Sequence, residues 1–145
     1  MKSIKEFFKV LKHFQKAGGL KHLVLVGSWS VVVYREKYNM PLPVFTTTDI
    51  DFSIFRPQDK MKTSRPTIHE VLSSIGYKAK FNRTDNSEKY IPAIDKSNEL
   101  EIEFICDPGR HAKHGVYMVK GLGITATPIK YQKYLLMDTV KISYK

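Results

Sequence analysis

Two aspartates one residue apart, Asp49 and Asp51, are the side chains of this sequence best placed to hold metal ions. They lie in residues 46–55, where polar and apolar side chains alternate as in a half-buried strand. Residues two apart on a strand point to the same side, about 6.5 Å apart, so both carboxylates can reach a shared pair of divalent ions. Such ions stabilise the attacking and leaving oxygens of a phosphoryl displacement. The alternative is a solvated strand face, because this spacing alone proves nothing.

A second acidic pair, Glu101 and Glu103, repeats the pattern in another predicted strand, residues 100–105. If the two strands are neighbours, their four carboxylates form one patch above an apolar core. The patch would repel itself without cations, and the pKa of at least one member should rise in the absence of metal. An acidic edge strand that maintains solubility is the alternative. Against that alternative, a chain of net charge +10 has concentrated acids on two strands.

A glycine and a serine, Gly27 and Ser28, separate the short apolar run of residues 23–26 from a predicted helix over residues 28–38. Glycine lets a ligand approach the backbone closely, and the free amides at a helix N-terminus donate to phosphate oxygens. Ser28 would add a hydroxyl donor. The alternative is a strand followed by a helix for which Ser28 is only the N-cap.

Helical and strand patterns alternate along the rest of the sequence. Apolar residues at helical spacing predict a first helix that ends at Gly18 and Gly19, and Thr67 with Glu70 forms a capping-box pattern ahead of another helix. Short strands joined by turns follow, and such strands are most simply antiparallel. We predict these strands at residues 77–81, 89–94, 100–105, 116–119 and 139–143. A late helix is predicted at residues 129–137.

Length and composition predict one α+β domain spanning residues 1–145. No apolar run approaches the roughly 20 residues of a membrane span, and the charged N-terminus is unlike a signal peptide, so a cytoplasmic protein without membrane contact is expected. The lone Cys106 is expected to be a buried small hydrophobe. The sequence ends on a strand-like run at Lys145, which is what a chain truncated at its C-terminus would show.

A strand ending in Gly27 and Ser28, a helix, a strand with Asp49 and Asp51, and a later acidic strand together resemble the DNA polymerase β-like nucleotidyltransferase superfamily. The residues Thr47-Thr48-Asp49-Ile50-Asp51-Phe52 are most similar to its small prokaryotic, AbiEii-like members. The resemblance implies the superfamily's α+β fold, a mixed twisted sheet with helices packed on one side.

The resemblance also implies roles for individual residues. Gly27 and Ser28 would hold the phosphates of a nucleoside triphosphate. Asp49 and Asp51 would bind two Mg²⁺ ions, for which Mn²⁺ can substitute, and Glu103 would be the third acid. Glu101 has the same orientation and stays an alternative metal ligand.

The implied reaction is the transfer of a nucleoside monophosphate from a nucleoside triphosphate to an acceptor hydroxyl, with release of pyrophosphate. The acceptor itself does not follow from the sequence: the resemblance implies tRNA ends, proteins or small hydroxylated compounds, and the diffuse positive charge suits a polyanion such as RNA. The alternative is a weak or inactive module of the same fold that binds nucleic acid or regulates a toxin–antitoxin pair. Neither the oligomeric state nor the nucleotide base follows from the sequence.

Overall fold

The computed structural model describes residues 2–41, 47–54, 65–107, 117–129, 132–137 and 139–143, and the structural statements below concern those ranges. The α-helices within them are α1 (Lys2–Lys16), α2 (Ser28–Tyr38), α3 (Ile68–Ser74) and α4 (Gln132–Leu135), and Leu20–His22 and Lys120–Leu122 are short 3-10 helices. The strands are β1 (Leu23–Val26), β2 (Asp49–Ile54), β3 (Tyr77–Asn82), β4 (Ser87–Pro92), β5 (Glu101–Cys106), β6 (Tyr117–Val119) and β7 (Ile124–Pro128).

The strands form a mixed sheet in the order β1-β2-β5-β4-β3, with β7 also pairing with β5 and β6. Strands β2 and β5 are parallel neighbours, whereas β1 with β2, β3 with β4 and β4 with β5 are antiparallel. The predicted antiparallel arrangement of the strands after residue 77 is therefore confirmed for β3, β4 and β5. The predicted α+β class with a mixed sheet is confirmed as well.

One side of the sheet, here called the helix face, carries the apolar core. Alternate side chains of β2 and β5, including Phe52 and Phe104, are fully buried there, and the ring of Phe14 from α1 packs against both. Trp29 of α2 stacks on Phe7 of α1, with ring centroids 4.6 Å apart. Burial of this kind stabilises a fold by about 1.5–3 kcal/mol for each large apolar side chain.

The opposite side of the sheet, here called the carboxylate face, carries the polar residues that alternate with the core. Cross-strand partners on a sheet share a face, so the register links one row across it: Lys80, Lys89, Glu103, Asp51 and Val26. Farther along β2, helix α4 covers this face. The buried hydroxyl of Ser53 donates a 3.1 Å hydrogen bond to Gln132 Oε1 of that helix. The rigid strands thus hold the acidic side chains.

Helix α2 forms over Ser28–Tyr38 as predicted, despite its run of β-branched valines. It ends at Asn39, which adopts the left-handed conformation with φ 49°. The N-cap, however, is Gly27 and not Ser28, and no side chain caps the helix. The Ser30 hydroxyl instead donates a 2.6 Å hydrogen bond to the Gly27 carbonyl.

The capping box of α3 is present, with Thr67 and Glu70 each bonded to the other's backbone amide. The predicted final strand is wrong, since residues 139–143 form no strand. Strand β7 was not predicted, although Ile124 and Ala126 alternate with Thr125 and Thr127, because this run is short and lies between Gly123 and Pro128. Pairing decides both cases, because β7 lies beside β5 and β6, whereas side chains at residues 139–143 are mostly exposed.

None of the helices in the described ranges combines the length and apolar character that a bilayer span requires.

Candidate active site

The two acidic pairs meet on the carboxylate face because β2 and β5 are adjacent, parallel and in register. Asp49 faces Glu101, and Asp51 faces Glu103. The structure therefore brings together all four carboxylates named from the sequence. The acids alternate along each strand with buried apolar residues such as Ile50, so the two kinds of side chain point to opposite faces. This is why so much negative charge can lie directly above a dry core.

The four carboxylates differ in burial. The side chain of Glu103 is only 18% exposed, whereas those of Glu101 and Asp49 are 39% and 51% exposed. Asp51 is partly buried, as its register position beside Glu103 requires. The site thus has an inner pair, Asp51 with Glu103, and an outer pair, Asp49 with Glu101.

Burial raises the pKa of both inner carboxyls. For Asp51, burial is the main cause, the negative charge of Asp49 adds to it, and Lys89 opposes it. For Glu103, burial again comes first; Lys89 opposes it and the charge of Asp51 adds to it. Rising pKa values without a bound cation are what the sequence predicted for this patch. Burial therefore disfavours the charged form of both inner carboxyls.

A lysine from the neighbouring strand lies among these carboxylates. Lys89 Nζ is 3.5 Å from Asp49 Oδ1, 3.5 Å from Glu101 Oε2 and 4.0 Å from Glu103 Oε2. Burial lowers the Lys89 pKa, but the three acids outweigh burial and raise it overall. The sequence analysis did not single out this residue, since a lysine in a strand reveals neither its cross-strand partner nor its reach.

The glycine bend lies directly beside the inner pair. Val26, the last residue of β1, is the cross-strand partner of Asp51. Gly27 has φ 71° and ψ −161°, and a Cβ added to it would lie 3.2 Å from Asp51 Oδ2. Only glycine adopts this conformation readily. The first turn of α2 begins at Ser28, immediately after this bend.

A hydroxyl from the strand that the sequence analysis missed contacts the inner pair. Thr127 on β7 donates a 3.3 Å hydrogen bond from Oγ1 to Glu103 Oε1. Glu103 thus accepts a hydrogen bond from Thr127 and lies within ion-pair distance of Lys89. Alternation places Thr127 on the opposite face of β7 from Ile124 and Ala126, but its contact with Glu103 depends on the pairing of β7 with β5.

The donor set suits Mg²⁺, which prefers hard carboxylate oxygens. Within the described part of the chain, no three acidic, histidine or cysteine side chains stand close enough to form a preassembled metal cluster. The Lys89 ammonium, within 4.0 Å of three carboxylates, places a positive charge among them. The residues therefore fit divalent ions by the chemistry of their donor oxygens and by their charge.

A family model described as Nucleotidyltransferase matches residues 5–144, nearly the whole chain. The chain therefore belongs to this nucleotidyltransferase family, and its mixed α+β sheet is consistent with the polymerase β-like fold. No curated protein and no solved structure matches the chain. The superfamily resemblance is confirmed, while the narrower AbiEii-like assignment stays a prediction.

Proposed function

We propose that this member of the nucleotidyltransferase family transfers a nucleoside monophosphate from a nucleoside triphosphate to an acceptor hydroxyl, in a Mg²⁺-dependent reaction that releases pyrophosphate. One observation carries the proposal. Asp49, Asp51 and Glu103 lie on adjacent parallel strands that are in register. The Gly27 bend lies beside them, since a Cβ added to Gly27 would be 3.2 Å from Asp51 Oδ2. Carboxylates beside a phosphate-binding bend are the parts that such a transfer needs.

Asp49 and Asp51 are the proposed ligands shared by two Mg²⁺ ions, with Mn²⁺ as a substitute. Bound there, the ions would lower the pKa of the acceptor hydroxyl and neutralise the triphosphate. Catalysis by the chain itself is then positioning, because rigid strands hold the carboxylates and no covalent intermediate on the protein is required.

Glu103 is the proposed third metal ligand in preference to Glu101. It faces Asp51, is the more buried of the two, and has one oxygen fixed by Thr127. Glu101 faces the exposed Asp49 and is the closer of the two glutamates to Lys89. A ligand held at a fixed position loses less side-chain entropy when it binds a metal ion, which favours the inner glutamate.

The triphosphate is proposed to bind at the junction of β1 and α2. The absent Cβ of Gly27 leaves room for phosphate oxygens beside Asp51. The amides of the first helical turn and the Ser28 hydroxyl supply donors, and the helix dipole favours the negative charge. Helix α2 has 11 residues, long enough for this effect.

The acceptor is proposed to be RNA that crosses β3 and β4. Lys80 shares the carboxylate face through its pairing with Lys89, and Lys78, two residues earlier, points the same way. Both are exposed. Two residues on a strand span about 6.5 Å, so the two ammonium groups form a short positive row on this face. The chain's net charge of +10 would attract such a polyanion.

The test supplies each α-labelled triphosphate with Mg²⁺ and either total cellular RNA or total protein. We expect label in RNA, loss of labelling with Asp51→Asn, and a far larger loss with Glu103→Gln than with the matched Glu101→Gln at saturating Mg²⁺. Label in protein alone would overturn the RNA acceptor while leaving nucleotidyl transfer intact.

The competing function is a regulatory or nucleic-acid-binding module of a toxin–antitoxin pair. It predicts no labelled acceptor, RNA binding that falls steeply with salt, and indifference of that binding to Mg²⁺ and to Asp51→Asn. That combination of results would replace the proposed enzyme with the module.

A further inference from the structure

The position of Lys89 is unusual for a residue beside a divalent-cation site. Its ammonium lies 3.5 Å from Asp49 Oδ1 and 3.5 Å from Glu101 Oε2, and 4.0 Å from Glu103 Oε2. These distances are ion-pair distances with no single preferred partner. The side chain is one third exposed, so its long stem has room to move.

Two of these three acids are the proposed metal ligands Asp49 and Glu103, and the third is not. Mg²⁺ binds oxygens at about 2.0–2.1 Å and cannot share them with an ammonium at the same place. A divalent ion and an ammonium a few ångströms apart also repel each other strongly. Lys89 must therefore leave Asp49 and Glu103 when an ion enters, and Glu101 remains as its nearest anion.

We propose that Lys89 is a tethered cation that occupies the carboxylate site before metal arrives, weakens the binding of free divalent ions, and moves onto Glu101 when they bind. This inference rests on the proposed metal-dependent function. Lys89 is a positioning residue in this role, since it acts through the carboxylates. The triphosphate adds negative charge at the site, so the ions are expected to bind much more tightly together with nucleotide than alone.

The first experiment titrates the full chain with Mn²⁺ without nucleotide, following free Mn²⁺ by electron paramagnetic resonance. Lys89→Met keeps the length of the side chain and removes its charge, and we expect roughly tenfold tighter Mn²⁺ binding. Lys89→Arg keeps the charge and should bind like the wild type. Lys80→Met is the matched control, because Lys80 is the cross-strand partner of Lys89 and lies farther from the acids.

Thermal unfolding supplies a second readout that does not depend on activity. Without metal, Lys89→Met leaves the carboxylates uncompensated, so its melting temperature should fall by roughly 2–4 °C. Added Mn²⁺ should raise that temperature more than it does in the wild type. Should Lys89→Met fail to fold, Lys89→Gln tests the same loss of charge with a polar side chain.

A double-mutant cycle tests the destination of Lys89. Glu101→Gln removes the anion that receives the ammonium, so Mn²⁺ binding should weaken when Lys89 is present. In the Lys89→Met background, the same Glu101→Gln change should have no effect on Mn²⁺ affinity. An equal loss in both backgrounds would make Glu101 a direct metal ligand and overturn this part of the proposal.

The outcomes separate the two proposals. If no variant and no wild-type protein binds Mn²⁺, with or without nucleotide, the metal-dependent function fails. If the wild type binds Mn²⁺ and Lys89→Met binds it no more tightly, the tethered cation is overturned and the metal site stands. If Lys80→Met tightens binding as much as Lys89→Met, the effect belongs to the general positive field and the role assigned to Lys89 is wrong.

Discussion

Asp51 and Glu103 face each other across the parallel strands β2 and β5, and burial raises the pKa of both carboxyls. Burial is the main cause for both; the charge of Asp49 adds to the rise for Asp51, and the charge of Asp51 adds to the rise for Glu103. Lys89 opposes both rises. An arrangement that costs stability alone and gains it with a cation is expected of a binding site. The predictions below follow from this pair and its surroundings.

Replacing Asp51 with asparagine should separate stability from function. The variant removes a repelling, partly buried charge, so the free energy of unfolding without metal should rise by about 0.5–1 kcal/mol. Nucleotidyl transfer should fall at least about 100-fold, because a neutral amide is a poor metal ligand. Urea unfolding and single-turnover labelling measure the two effects. A variant that is less stable and still active would contradict both expectations.

The stability of the metal-free protein should depend on pH through Glu103. Its pKa is raised in the folded state, so the folded protein takes up this proton first as pH falls. The charged form of Glu103 therefore destabilises the folded protein, fully so at neutral pH. This destabilisation is relieved as the pH falls through the raised pKa. Glu103→Gln should thus be more stable than the wild type at pH 7, and the difference should vanish below the ordinary carboxyl pKa of about 4.3. Urea titrations of both proteins across this pH range measure the difference in their free energies of unfolding. A difference that grows as the pH falls would contradict the prediction.

Alanine at Gly27 should damage both the fold and the site. Its φ of 71° with ψ −161° strains any other residue, at a cost of about 1–3 kcal/mol, and the added Cβ would lie 3.2 Å from Asp51 Oδ2. Gly18→Ala is the matched control, since Gly18 has φ 73° and no atom within 4 Å of an added Cβ. Both variants should lose stability, but only Gly27→Ala should lose nucleotide affinity, measured by fluorescence of a labelled triphosphate.

The single cysteine should be unreactive in the folded protein. Cys106 is 1% exposed, and burial, with a contribution from the charge of Asp107, raises the pKa of its thiol to about 11. The prediction that it is a buried small hydrophobe is confirmed. At pH 8, Ellman's reagent should react slowly with the native chain and quickly in urea, where the thiol is exposed and its pKa is ordinary. Rapid reaction without denaturant would show that this end of β5 opens readily.

Local patterns were sufficient for much of the architecture. Alternation placed Asp49 and Asp51 on one side of a strand and the apolar residues on the other, as β2 shows. The capping box of α3 was legible because Thr67 and Glu70 are three residues apart. Helix α2 was legible from its length and its flanking residues, although Ser28 proved to be its first residue and not its cap.

Contacts between segments distant in sequence could not be predicted in the same way. Lys89 reaches three acids, and Thr127 bonds to Glu103, because β4 and β7 lie beside β5 along different halves of that strand. A shift of one residue in either pairing would turn these side chains to the other face. The pattern of a single strand shows which face each residue occupies but not which residue lies beside it on the next strand.

The sequence by itself determined which side chains share a face of each strand, since alternation is a property of the backbone over a few residues. Only the tertiary structure decided that Glu103 faces Asp51 and that Gly27 lies beside Asp51. It also decided that Lys89 lies within 4.0 Å of three carboxylates. Those relationships depend on strand order and register, which are set by packing of the whole core and not by any local run of residues.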